Sequence, residues 1–241
     1  MKPPAVLLFL LAFSGCASVP DDVRRELAPT GKLRGVTVNL GQAMADRLGV
    51  PLEVVPYPNS GEVVAAGPKG EWDVTFVPMD DERRKVIDFG ATYYLSTSTY
   101  MVRPGSPIRS LAEVDRPGVK VAGIANTATA RTAIGQLKNT KLISFRTVDE
   151  VVAKMKTGEI DAIAIGRETL RGLVTQLPGA RILDGHFHAA GTAVAVPKGK
   201  PAAQAWVTRF IEEGKTDGTV RRALDGAGFT DLAVAPPEPR K

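Results

Sequence analysis

The stretch Glu71–Tyr94 constrains the rest of the chain. Val74, Thr75, Phe76 and Val77 make an apolar, β-leaning run that reads as a buried strand, and Pro78 turns the chain out of it. Six charged residues follow, Asp80 to Lys85, before a second β-leaning run that carries Phe89, Tyr93 and Tyr94. In an open α/β sheet, the space beyond the carboxyl ends of the strands is where ligands bind. An arginine held there can grip a carboxylate through two parallel hydrogen bonds, which lysine cannot do. Arg83 and Arg84 are the candidates; the competing reading makes both of them solvated charges on a short surface helix.

Asp73, Asp80 to Arg83, the run Ile87-Asp88-Phe89 and the pair Tyr93-Tyr94 resemble the signature of the bacterial family 3 extracellular solute-binding proteins, the polar amino-acid receptors of ABC importers. The resemblance implies an α/β fold of the periplasmic binding protein-like type II kind, with two lobes joined by a two-strand hinge. It puts Arg83 on the position that clamps the ligand carboxylate and Arg84 one past it, with Tyr93 or Tyr94 as apolar walls. Asn126 and Thr127 fall where the family has a turn that donates to the same carboxylate, at the head of a helix whose free N–H groups suit an anion. Thr127 or Thr129 can equally be a plain helix cap, and the two roles are compatible.

Two departures bear on the ligand. Pro78 stands where the family donates a backbone N–H, and proline has none. After the strand Asp161–Ile165 the family carries an aspartate for the ligand's α-ammonium; here Gly166 takes that place and Arg167 follows. Arg167 is therefore expected as a second cationic anchor, and simple carboxylates are expected to be preferred over the matching amino acids.

At the start of the chain, Lys2 precedes the apolar run Ala5–Phe13, which is too short for a stable membrane helix, and Ser14 and Gly15 lead to the sole cysteine, Cys16. Residues 1–16 resemble a bacterial lipoprotein signal with Cys16 as the lipidated residue; the alternative is an ordinary secretory signal. Residues 17–25 read as a tether. The net charge of +5 is spread along the chain and aromatic residues make up only 6%, so no nucleic-acid platform is expected. The two histidines, His186 and His188, are too few for a metal site, and no cofactor is expected.

Residues 26–100 and 190–232 are assigned to the first lobe, 101–189 to the second, and 233–241 to a ragged tail. Leu40, Ala43, Met44 and Leu48 share a helical face that Gly49 stops. Leu52–Tyr57 reads as a strand, and Ser60 as the cap of a short helix cut by Gly67 and Pro68. Thr147 and Glu150 form a capping box. Against the family pattern, Gly31–Arg34, the start of the first strand, runs straight into Gly35–Leu40, the entry to the first helix. A central strand is missing between them. Its absence would leave unpaired backbone groups on both neighbours, so Arg34–Val38 is expected to serve as that strand.

The function expected from these residues is that of a monomeric solute-binding component of an ABC importer. It would capture a small organic anion or amino-acid-like ligand for an inner-membrane permease, from the periplasm, held to the membrane by a lipid anchor. The alternatives are a cyclohexadienyl-dehydratase-like enzyme on the same fold, with Glu168 as the nearest general acid, or a degenerate, non-binding envelope lipoprotein.

Overall fold

The computed structural model of the chain describes the backbone of Leu7–Ala12, residue 33 and residues 35–238. Within these, β1 (Leu7–Ala12), β2 (Leu52–Tyr57), β3 (Val74–Pro78), β4 (Ile87–Val102), β5 (Val121–Ile124), β6 (Leu142–Phe145), β7 (Ala162–Gly166), β8 (Arg181–Ile182) and β9 (His188–Pro197) form one mixed sheet. Its order is β2-β1-β3-β9-β4-β7-β5-β6, with β8 beside β4. The helices are α1 (Val36–Leu48), α2 (Ser60–Ala66), α3 (Asp81–Arg84), α4 (Ala128–Gln136), α5 (Val148–Lys156), α6 (Arg167–Leu173), α7 (Pro201–Thr216) and α8 (Thr219–Asp225).

The long strands β4 and β9 join two halves. β4 pairs antiparallel with β9 from Ile87 to Ser98 and with β7 from Ser98 to Val102, so Ser98 marks its passage from one half to the other. Each half has its own apolar core: Leu40, Met44, Phe76, Phe210 and Ile211 in the first, and Met101, Val151, Met155, Ile163 and Leu170 in the second. Each such side chain stabilises its half by roughly 1.5–3 kcal/mol when fully buried. Two separate cores linked by two strands leave room for a cleft between them.

The pairing of β4 with β9 slips twice, between Phe89 and Thr92 and again between Thr92 and Tyr94. A Cβ at Gly90 would lie 2.8 Å from Thr208 Oγ1 and 2.9 Å from Val194 Cγ1, so glycine lets α7 pack close to this irregular strand. Beyond it Tyr93 turns into the first core, edge-on to Phe76 at 5.5 Å, while Tyr94 lines the space between the halves. Residues from 233 on, expected as a ragged tail, are docked here as far as Glu238. Val234 forms an antiparallel bridge with Tyr94, and the Ala235 N–H donates to Tyr93 O at 2.9 Å. The nearly fully buried Lys215 donates to Pro236 O and Glu212, and Glu212 accepts from the Glu238 N–H at 3.2 Å.

The expectation for Arg34–Val38 does not hold. Val36 opens α1, because Val36, Leu40 and Met44 recur at helical spacing on its buried face. The strand position between β2 and β3 is taken by Leu7–Ala12, parallel to both. Its register runs from Leu7 opposite Leu52 to Ala12 opposite Tyr57 on one side, with Phe9 opposite Val74 and Leu10 opposite Thr75 on the other. Both α1 and α2 pack against it. These six residues belong to the run read as the apolar part of an export signal. Cys16 and the tether lie outside the described residues.

Candidate functional site

A cavity of about 60 Å³ separates the halves. A water needs roughly 10–15 Å³ of such volume, so the space suits about four to six waters, or a small solute that displaces them. Ser60, Pro78 and Arg83 line it from the first half, Tyr94, Ser96 and Ser98 from β4, and Thr127, Thr129, Gly166, Glu168 and Thr169 from the second half.

Arg83 reaches the cavity because of how α3 begins. Asp80 caps this four-residue helix, its Oδ1 accepting the Arg83 N–H at 2.9 Å. The Arg83 side chain is then drawn inward and is only 3% exposed. Nη1 donates to Pro78 O at 2.8 Å and Nη2 to Ser60 Oγ at 2.6 Å. Nε has no hydrogen-bond acceptor among the described residues, although Asp80 Oδ2 stands 3.5 Å away. Burial pushes the Arg83 pKa down to about 10; Asp80 pulls it up and Arg131 pushes it further down. The group is still a cation at neutral pH, and a buried donor left unfilled is costly. Pro78, a departure when judged by its missing N–H, contributes its carbonyl. Ser60 is free to hold Arg83 because Asn59, not Ser60, caps α2 by accepting from the Gly61 and Glu62 N–H groups at 3.0 Å. Arg84 points out, against Met79 Sδ and over the Phe89 ring.

Lining the same cavity from the second half is Glu168, 6% exposed. Its Oε2 lies 3.7 Å from where a Cβ on Gly166 would be, an ordinary contact distance, so Glu168 folds back over the end of β7. Burial raises its pKa, against the pull of its own N–H and of Arg171 and Arg167. The cleft therefore has a carboxylate after all, two positions along from the glycine where sequence reasoning looked for one. Arg167 is not among the residues that line the cavity. One residue earlier on α6 it is turned about 100° from Glu168, and its Nη2 donates to Gly185 O and, at 3.4 Å, to Leu183 O.

The remaining expected residues divide. Thr127 lines the cavity and also caps α4, accepting from the Ala130 N–H at 3.1 Å and donating to Ile124 O at 2.8 Å. Asn126, at φ 61°, is not in the cavity lining; it meets Gly61 where the two halves touch. Both tyrosines belong to the first core, and only Tyr94 also lines the cavity. His188 is held by Thr132 Oγ1 at 3.2 Å, its pKa lowered chiefly by burial. No group of three possible metal ligands exists among the described residues.

Polar contacts close the seam between the halves. Glu62 pairs with Arg146 Nε at 2.8 Å, Asn59 Nδ2 donates to Arg146 O at 3.1 Å, and Arg131 pairs with Asp80. At the other rim Arg171 meets Asp231 at 2.8 Å.

Two cored halves, a crossing by two long strands and a small charged cleft between them define a binding protein of the periplasmic type II fold. The chain belongs to the bacterial extracellular solute-binding proteins, family 3, which match residues 23–226. It is similar to the L-cystine-binding protein TcyJ of Escherichia coli K12, with 29% identity over 197 residues covering 79% of this chain and 73% of that one. The Glutamine-binding protein of Geobacillus stearothermophilus is 23% identical over 169 residues, 66% of this chain, and the chain spans only 62% of that relative's length. In fold it resembles the ancestral amino-acid-binding protein AncCDT-1, a precursor of cyclohexadienyl dehydratase, with a TM-score of 0.78 at 24% identity over 92% of this chain and 95% of the other.

Proposed function

We propose that the protein is the solute-binding component of an ABC importer and that it captures a small carboxylate-bearing molecule in the interlobe cavity, with Arg83 as the anchor. The observation that carries this reading is the Arg83 guanidinium: buried, cationic, fixed by Pro78 O and Ser60, and lining the cavity with N–H donors to spare. Glu168 across the cavity adds a demand for positive charge. The ligand class favoured is thus a small carboxylate that also carries an amine, against the amine-free preference expected from Gly166 and Arg167. The relatives' ligands, glutamine and L-cystine, belong to this class.

Export to the periplasm, lipidation at Cys16 and delivery to an inner-membrane permease complete the reading. It makes one demand on the fold, because a chain processed at Cys16 no longer carries β1. Glu168 also keeps a second reading in play: a buried carboxyl with a raised pKa is a general-acid candidate, and incubation with prephenate or arogenate tests for the dehydratase activity it would serve.

Calorimetric titrations in matched pairs, aspartate against succinate and glutamate against glutarate, test the main reading. Within at least one pair the amino acid should bind more tightly. Arg83→Ala should weaken that binding by about 2 kcal/mol or more, as for a desolvated charge-assisted pair, and Arg84→Ala by much less. Equal losses from the two arginines would remove Arg83 from its role.

A further inference from the structure

Asp80 stands between two arginines from opposite halves. Its Oδ1 is committed to capping α3. Its Oδ2 accepts a hydrogen bond from Arg131 Nη2, while Arg83 Nε, 3.5 Å from the same oxygen, makes none. Arg131 comes from α4 in the second half and is steadied by its own Nη1, which donates to Asn126 O at 3.0 Å. We infer that Arg131 is a positioning residue for the anchor: by taking Asp80 Oδ2 when the lobes meet, it keeps that oxygen from Arg83 and makes the anchor's need for an outside anion conditional on closure.

The chemistry follows from which cation Asp80 compensates, on the reading of Arg83 as a carboxylate anchor proposed above. With the lobes apart, Arg131 departs with α4, and Asp80 Oδ2 has no rival for Arg83 Nε. A shift of about half an ångström from 3.5 Å then completes an internal hydrogen bond. The anchor is locally neutralised and its Nε–H is filled. With the lobes together, Oδ2 belongs to Arg131, and the Arg83 guanidinium keeps a charge that Asp80 no longer compensates in full, which a ligand carboxylate in the cavity can meet. Binding and closure then favour each other through one shared oxygen.

A simple latch between Asp80 and Arg131 would behave differently. Arg131 is 36% exposed, and exposed ion pairs contribute little. If the pair were only a latch, removing either partner would weaken binding alike. If Arg131 acts by occupying Asp80, the two removals differ in sign, because without the Asp80 charge nothing competes for Arg83.

The test uses the full chain with acetate as the probe, following the Arg83 Nε–H resonance by side-chain NMR, assigned by its loss in Arg83→Lys. Acetate should shift this resonance in the wild type. Arg131→Gln should need about tenfold more acetate or higher, the scale of one charge-assisted hydrogen bond. Asp80→Asn, which keeps the cap, should bind acetate at least as well as wild type, and Asp80→Asn with Arg131→Gln should match Asp80→Asn alone. Arg131→Lys, which keeps a cation for Oδ2, should restore most of the affinity. Weakening by Asp80→Asn equal to that by Arg131→Gln, or an undiminished Arg131→Gln effect in the Asp80→Asn background, would overturn the relay and leave the anchor standing. A wild-type resonance unmoved by acetate would overturn the anchor itself, and the relay with it.

Discussion

Replacing Gly61 with alanine should cost the protein its closed state without touching any group assigned to the ligand. Gly61 sits in the first turn of α2, against Asn126 of the opposite half. A Cβ there would lie 2.6 Å from Asn126 Cβ and 2.8 Å from Asn126 O, where ordinary contact begins near ~3.5 Å. Either the halves stay about 0.7–0.9 Å further apart on that side, or Asn126, in the left-handed region at φ 61°, must move. Overpacking of this kind costs about 1–3 kcal/mol. The same approach of the halves forms the Glu62–Arg146 and Asn59–Arg146 contacts, which the methyl group would loosen. Within α2 itself alanine is the better residue, by up to about 1 kcal/mol, so the penalty falls on closure rather than on the helix. Ligand affinity should fall by roughly 5- to 150-fold, with the melting temperature of the ligand-free protein unchanged or raised. Titration calorimetry with an amino acid that the wild type binds measures the first, and small-angle scattering reports the more open shape. Wild-type affinity together with a wild-type scattering profile would refute the steric argument.

Glu168 gives a pH prediction with a definite sign. Its folded pKa is raised by burial, so the folded state holds the proton more firmly than the unfolded state does. Its ionised form therefore carries a penalty that is fully present above the folded pKa and absent below the unfolded value of about 4.3. Glu168→Gln should raise the melting temperature at pH 8 and bring no gain near the acid end; an equal gain at both pH values would count against it. In the wild type, affinity for amine-bearing ligands should also fall as pH drops through the raised pKa, which titrations at a series of pH values would show. A chain beginning at Cys16 lacks β1, and among the described residues β2 has no other strand partner. Hydrogen exchange in β2 and β3 should be much faster in that form than in the full chain, and identical protection in the two would mean that β1 contributes nothing to the sheet.

What the sequence made legible was mostly local. The capping box at Thr147 and Glu150 forms in both directions, and Gly49 ends α1 in the left-handed conformation, because each signal depends only on neighbours a few residues away. The choice of Arg83 over Arg84 came from counting along one short segment. The misses all turn on contacts between distant segments. Glu168 was discounted because its place in the cleft depends on how α6 sets against the end of β7, which linear order does not display. Arg167 lies off the cavity lining for the same reason, since fixing one residue of a helix turn fixes its neighbour elsewhere. Tyr93 and Tyr94 look equivalent in sequence and share the first core, yet along the slipped pairing of β4 only Tyr94 reaches the cavity. The strand beside β2 was sought next to α1, whereas the segment that fills it precedes a stretch of undescribed residues.

The docked C-terminal segment sets an order of events during synthesis. Tyr94 is made before the entire second half, yet the bridge that steadies it comes from Val234, after every helix of both halves has been completed. A nascent chain can thus bury the second core and most of the first while one wall of its cleft still lacks its backing. That wall is completed only when the residues around Val234 emerge and pair along β4. A stalled or clipped chain that ends before Val234 would keep most of its core and lose the backing of the cleft wall together with the last apolar contacts of the first half.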